Sequence, residues 1–170
     1  MLKKSSIAIF LLLLGGGLTE LSSQELHWYT LEEAFELTAS EPRMMIIDVY
    51  TDWCGWCKRM DAATFSDSVI ATVLAGNFYP VKLDAEGKKD IVLGGKTYKF
   101  VDNGRRGYHE LAAAVTNNRL SYPTVSVLDE QGRLVNVKAG YQGPDQFAIF
   151  LEFYRSEAYK TQSWEDYSAL

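Results

Sequence analysis

Trp53-Cys54-Gly55-Trp56-Cys57-Lys58 contains both cysteines of the 170-residue chain, and the reading of this stretch decides the fold. Directly upstream, Met44-Met45-Ile46-Ile47-Asp48-Val49-Tyr50 is an apolar run rich in β-branched and aromatic residues. It predicts a strand buried on both faces with an acid in its middle. Downstream, residues 58–63 continue as a helix. A strand that delivers Cys-x-x-Cys to a helix start puts the first thiol among unpaired amides that stabilise a thiolate. The second thiol, one turn further in, is then placed to resolve a mixed disulfide. A structural staple is the weaker alternative, because closing so short a loop restricts the unfolded chain little. Metal binding is weaker still: a closed zinc site needs four ligands, and only His27 and His109 remain, neither at ligand spacing. Each His reads as a surface or capping residue.

Working outward, Leu26 to Tyr29 suggests a short strand, and Thr30 caps a helix over residues 31–40 that turns Leu31, Ala34 and Phe35 inward. Ser66 and Asp67 cap a further helix that ends at Gly76-Asn77, before a second buried strand over residues 78–84. Residues 85–104 read as an inserted β-hairpin with Gly94-Gly95 at its tip. A helix over 106–117, strands over 125–128 and 134–139, and a helix over 145–157 complete the pattern, with Phe147, Phe150, Leu151 and Tyr154 facing inward. The sum is an α/β fold of three layers, a central mixed β-sheet flanked by helices, with the hairpin inserted before Pro123.

The N-terminus places Lys3 and Lys4 before the apolar run of residues 7–14, then Gly15-Gly16-Gly17 and Ser22-Ser23, the order of a secretory signal peptide. The run is shorter than the roughly 20 residues of a membrane span. We expect cleavage near Ser23, export to the periplasm or outside the cell, and membrane tethering if the segment is kept. That divides the chain into a signal peptide (1–23), one domain (24–157) and a C-terminal tail (158–170) whose Tyr159, Trp164 and Tyr167 are suited to docking. The chain carries 17 basic and 22 acidic residues, and losing Lys3, Lys4 and Glu20 leaves 15 and 21, so the net charge moves from -5 to -6. Such a balance argues against nucleic-acid binding.

Asp48 is costly to bury unless its raised pKa is used, and a proton acceptor for Cys57 is such a use. Lys82, in the second strand, is placed to tune it. Trp53 and Trp56 bracket the pair and present rings to a substrate chain. The Gly55-Trp56 dipeptide lacks the His that would stabilise a Cys54 thiolate, which favours a more reducing pair. A cis Tyr122-Pro123 bond would expose the Tyr122 backbone to an extended substrate.

Together, Asp48, the Trp53 to Lys58 motif, Lys82, Tyr122-Pro123-Thr124 and Gly140 resemble the thioredoxin superfamily in order and spacing, over residues 26–155. The resemblance implies a buried acid at Asp48, its lysine neighbour at Lys82 and a cis-proline at Pro123 that faces the cysteines. Residues 49–54 with 63–67 are similar to the C-terminal periplasmic domain of the transmembrane reductase DsbD and related exported thioredoxin-like proteins. By that likeness the chain is a protein-disulfide reductase or exchanger with Cys54 as nucleophile, Cys57 as resolving thiol, and Trp53, Gly55, Trp56, Tyr122 and Pro123 on the substrate side. It implies protein thiols and disulfides as partners, a separate membrane electron donor, and neither cofactor nor metal. Two alternatives stay open: an oxidase of the same fold, and a non-catalytic client-binding module.

Overall fold

The computed structural model describes residues 26–169, so the expected signal segment lies outside the described residues. In chain order the elements are α1 (Leu31–Thr38), β1 (Met45–Tyr50), α2 (Gly55–Met60) running into a π-helical turn (Asp61–Phe65), α3 (Ser68–Asn77), β2 (Tyr79–Asp84), β3 (Ile91–Leu93) and β4 (Lys96–Tyr98). Then come β5 (Phe100–Val101), β6 (Tyr108–His109), α4 (Glu110–Val115), β7 (Thr124–Leu128), β8 (Leu134–Ala139), α5 (Pro144–Arg155), a 3-10 turn (Ala158–Lys160) and α6 (Trp164–Ser168). The main sheet has the order β2-β1-β7-β8, with β1 parallel to β2 and antiparallel to β7.

Side-chain alternation along β1 separates two cores. Met45, Ile47 and Val49 pack with Leu31 and Ala34 of α1 and Leu111, Ala112 and Val115 of α4. Ile46 points the other way, into Met60, Ile70, Leu74, Phe147, Phe150 and Leu151 from the helices beyond. Phe147 is wholly buried there, and truncating such a ring typically costs about 3–5 kcal/mol. Asp48 is two residues from Ile46, so it shares the face that α2, α3 and α5 cover. This is the arrangement of three layers read from the sequence.

The local signals act as their chemistry dictates. Thr30 and Glu33 form a reciprocal capping box on α1, and Asp67 accepts from the amides of Val69 and Ile70 to start α3. Gly94 and Gly95, at φ +57° and +78°, turn the hairpin of β3 and β4. The tail lies against α5, with the Trp164 and Tyr167 rings 5.5 and 5.0 Å from that of Phe153.

Two expected elements differ. The strand expected at residues 26–29 reduces to one bridge, Tyr29 to Val81. Tyr29 N–H donates to the Pro80 carbonyl and its own carbonyl accepts from Lys82; the next rung upstream would need an N–H from Pro80, which has none. Leu26 and Trp28 are instead held by side-chain packing. The helix expected from 106 begins only at Glu110, because Tyr108 and His109 pair with Phe100 and Val101. Gly107 makes the turn into that pairing at φ +73°, where a Cβ would stand 2.2 Å from the Phe100 ring and 2.5 Å from the Val101 carbonyl oxygen. Gly107→Ala should therefore destabilise the protein by about 2 kcal/mol or more in urea unfolding, while Gly55→Ala, with nothing within 4 Å of its Cβ, should be near neutral.

Candidate functional site

Cys54 ends the loop after β1 as the N-cap of α2, and its Sγ accepts from the Cys57 N–H at 3.1 Å. Cys54 and Cys57 are joined as a disulfide across a Cα separation of 5.3 Å. Both residues are buried, at 5% and 2% exposure. Exposure therefore separates the two thiols little, and their difference lies in position: Cys54 alone caps the helix.

Around the pair the surface is aromatic. Trp53 and Trp56 are 53% and 56% exposed, unusual for rings of that size. Trp53 meets Tyr122 edge to face at 6.0 Å, and Trp56 meets Tyr141 at 5.5 Å. Gly55 opens α2 between them without a side chain. The Tyr122–Pro123 bond is cis. Pro123 is buried, and its carbonyl accepts from the Gly140 N–H at 2.8 Å. Burial pushes the Tyr122 phenol up to about 12, with the Glu86 and Asp84 carboxylates adding to the rise.

Beneath α2, Asp48 and Lys82 are direct partners in the β1–β2 ladder. Lys82 Nζ donates to Asp48 Oδ2 at 2.6 Å and also bonds the Asp61 carboxylate. Rings of Trp28, Tyr50 and Phe65 surround the ammonium with centroids 4.8 to 5.2 Å away. Asp48 Oδ1 is buried with no hydrogen-bond partner among the described residues. Burial pushes this carboxyl up to about 6 against the pull of Lys82, and Asp61 adds to the rise. Burial opposes the charge on Lys82, yet Asp48 and Asp61 together hold its ammonium above its ordinary value. The arrangement can carry a proton on a buried carboxyl near neutral pH. Lys82→Met should therefore move the Asp48 titration above about 6 and Asp61→Asn below it, each read by NMR of the carboxyl carbon.

Asp61, Tyr141, Arg59 and Arg106 also belong to this surface, although sequence reasoning passed over them. Asp61 had a signal: it follows Cys57 by four residues, one helical turn. Arg59 follows Trp56 by three, and its guanidinium lies over the Trp56 and Tyr141 rings at 5.4 and 5.7 Å. Arg106 lies over Trp53 at 4.2 Å, a contact between distant segments that no local pattern announces. His109, expected at the surface or as a cap, is a buried cap: Nδ1 accepts from the Leu111 N–H and Nε2 faces the Lys89 carbonyl. Among the described residues no cluster of His, Cys, Asp or Glu is placed to hold a metal ion.

The family model Thioredox_DsbH, described as a protein of unknown function, DUF255, matches residues 17–128. The chain belongs to this family. The match takes in Asp48, the cysteine motif, Lys82 and Pro123, and places the Thioredox_DsbH chain in the thioredoxin superfamily. Among solved structures it is similar to a DsbH oxidoreductase, at 15% identity and TM-score 0.55 over 81% of this chain and 87% of that one. It is similar also to a thioredoxin from Thermus thermophilus, at 20% identity and TM-score 0.57 over 76% and 87%. These likenesses establish the thioredoxin fold. A 65-residue segment is 31% identical to the human spermatogenesis-associated protein 20, covering 38% of this chain. The segment spans 8% of that relative's length.

Proposed function

We propose that the protein is an exported thiol:disulfide oxidoreductase that reduces or exchanges disulfides in partner proteins. The observation that carries this reading is the Cys54–Cys57 disulfide at the N-cap of α2, set above a buried, half-satisfied Asp48 carboxyl on the face that α2 covers.

In the reducing direction the Cys54 thiolate attacks one sulfur of a client disulfide. A Cys54–client bond forms, the client bond breaks, and one client thiolate leaves. Asp48, ionised at this stage, takes the proton of Cys57 directly or through water. The Cys57 thiolate attacks Cys54 Sγ, which closes the internal disulfide and releases the second client thiolate. Two electrons have then passed from dithiol to client, and a separate dithiol donor, membrane-bound in this account, returns them. Trp53, Gly55, Trp56, Tyr122 and Pro123 form the client-facing rim, and Lys82 tunes Asp48. We assign residues 1–23 as a signal peptide for export to the periplasm or beyond, residues 24–157 as the catalytic domain, and 158–170 as a tail.

Insulin reduction in the presence of dithiothreitol tests the reading. Wild type should accelerate precipitation of the B chain, and Cys54→Ser should not. Equal activity in both, or none in either, would overturn it in favour of a client-binding module.

A further inference from the structure

Two guanidinium groups lie over the tryptophans that precede the two cysteines in the chain. Arg59 comes from α2 and lies over Trp56; Arg106 comes from the loop joining β5 to β6, just after the inserted segment 85–104, and lies over Trp53. Both arginines are exposed. Arg43, Arg133 and Arg155 each bond a carboxylate of their own chain, whereas Arg59, Arg105, Arg106 and Arg119 bond none among the described residues, and of these four only Arg59 and Arg106 lie over an aromatic ring. A guanidinium stacked on a ring uses its face and keeps its N–H edge, the edge that matches a carboxylate in a fork of two bonds. Stacking also fixes the side chain before a ligand arrives, so less rotamer freedom is lost on binding.

The surrounding charges sharpen where such a ligand would sit. Asp84 and Glu86 act on Tyr122, and Asp52 acts on Asp84, so the Tyr122 side of the rim is negative. None of these acids hydrogen-bonds either arginine. Arg106, over the Trp53 ring that meets Tyr122, is the cation that offsets these acids on that side, while Arg59 over Trp56 stands on the side of Tyr141.

We infer that Arg59 and Arg106 are specificity-determining residues of the exchange site, each held over an exposed tryptophan beside a cysteine with its N–H edge free, and that they select polypeptide segments with an acidic side chain on each side of the reacting cystine. This rests on the exchange reading above. It also gives the β5–β6 pairing a role: the loop that it closes carries one of the two cations to the rim.

Competition between two quenched fluorescent peptides tests it, the peptides being identical except for Glu or Lys on both sides of an internal cystine. With the full reduced protein at low ionic strength, the Glu peptide should react about fivefold faster, roughly what two exposed charge contacts contribute, and the ratio should shrink with added salt. The double substitution Arg59→Glu with Arg106→Glu should invert the ratio, and Arg59→Lys with Arg106→Lys should keep its sign at reduced size. A wild type that reduces both peptides equally, or a charge-reversed variant with an unchanged ratio, overturns this inference alone. A wild type inert toward both peptides and toward 2-hydroxyethyl disulfide overturns the exchange reading and the inference with it.

Discussion

Replacing Cys54 by Ser is expected to lower the rate of disulfide exchange at least about a thousandfold, because the thiol that remains, Cys57, lacks the N-cap position that stabilises a thiolate and has no partner to resolve any adduct it forms. Both cysteines of the sequence lie in the one motif, so no thiol outside it can substitute. Cys57→Ser should behave differently: Cys54 still attacks, but nothing resolves the product, and a client–Cys54 adduct accumulates. Mass spectrometry of the non-reduced protein after incubation with a disulfide client reads this directly. The asymmetry follows from geometry. Cys54 is the N-cap residue and its sulfur faces the Cys57 amide, which favours negative charge there. An adduct through Cys57 in Cys54→Ser, with none through Cys54 in Cys57→Ser, would reverse the two roles.

Asp48→Asn should make the protein more stable and a poorer catalyst. The carboxyl rises from 3.8 to about 6 on folding, which means that the folded state holds a proton more tightly than the unfolded chain. Stability from this group is thus fully present below the unfolded value and is lost as pH rises through the folded one. A shift of that size corresponds to about 3 kcal/mol withheld at neutral pH. Asn removes that cost but gives up part of the bond to Lys82, which keeps Asp61, so a net gain of about 2 kcal/mol at pH 8 is expected. The gain should fade as pH drops from about 6 to 4, over the window in which the wild-type carboxyl becomes protonated. Urea unfolding of both proteins across that range measures it. In catalysis, the loss of a proton acceptor for Cys57 should slow resolution by about a hundredfold at pH 7, with the deficit narrowing at alkaline pH where hydroxide removes the proton unaided.

Much of this was legible in the sequence wherever a local pattern and a nonlocal need coincide. An acid inside an apolar strand stands out because burial is costly, and Lys82 falls opposite it once the two strands pair in register. The helix over the cysteines was readable from spacing alone, whereas its continuation as a π-helical turn carries no composition signal. The start of α4 was misread because the segment after Gly107 has helix-forming residues, yet Tyr108 and His109 are claimed by Phe100 and Val101, a pairing visible only in three dimensions. Likewise the strand expected at residues 26–29 had suitable residues but no donor at Pro80 to meet it. The rim followed the same division: Trp53 and Trp56 were evident from the motif, while Tyr141 and Arg106 reach it from loops far along the chain.

The central claim is that Cys54 and Cys57 form a working redox pair poised to give electrons away. Its most direct test is the reduction potential of that pair, obtained by equilibrating the protein with dithiothreitol or glutathione buffers and quantifying the disulfide by mass. Gly55-Trp56 supplies no cationic partner for the Cys54 thiolate, and Arg59 and Arg106 lie over tryptophan rings with neither bonded to the Cys54 sulfur among the described residues, so the dithiol should be a good donor with a potential more negative than about -200 mV. A value near about -120 mV, that of a strong oxidant, or a pair that fails to exchange with either buffer, would contradict the account.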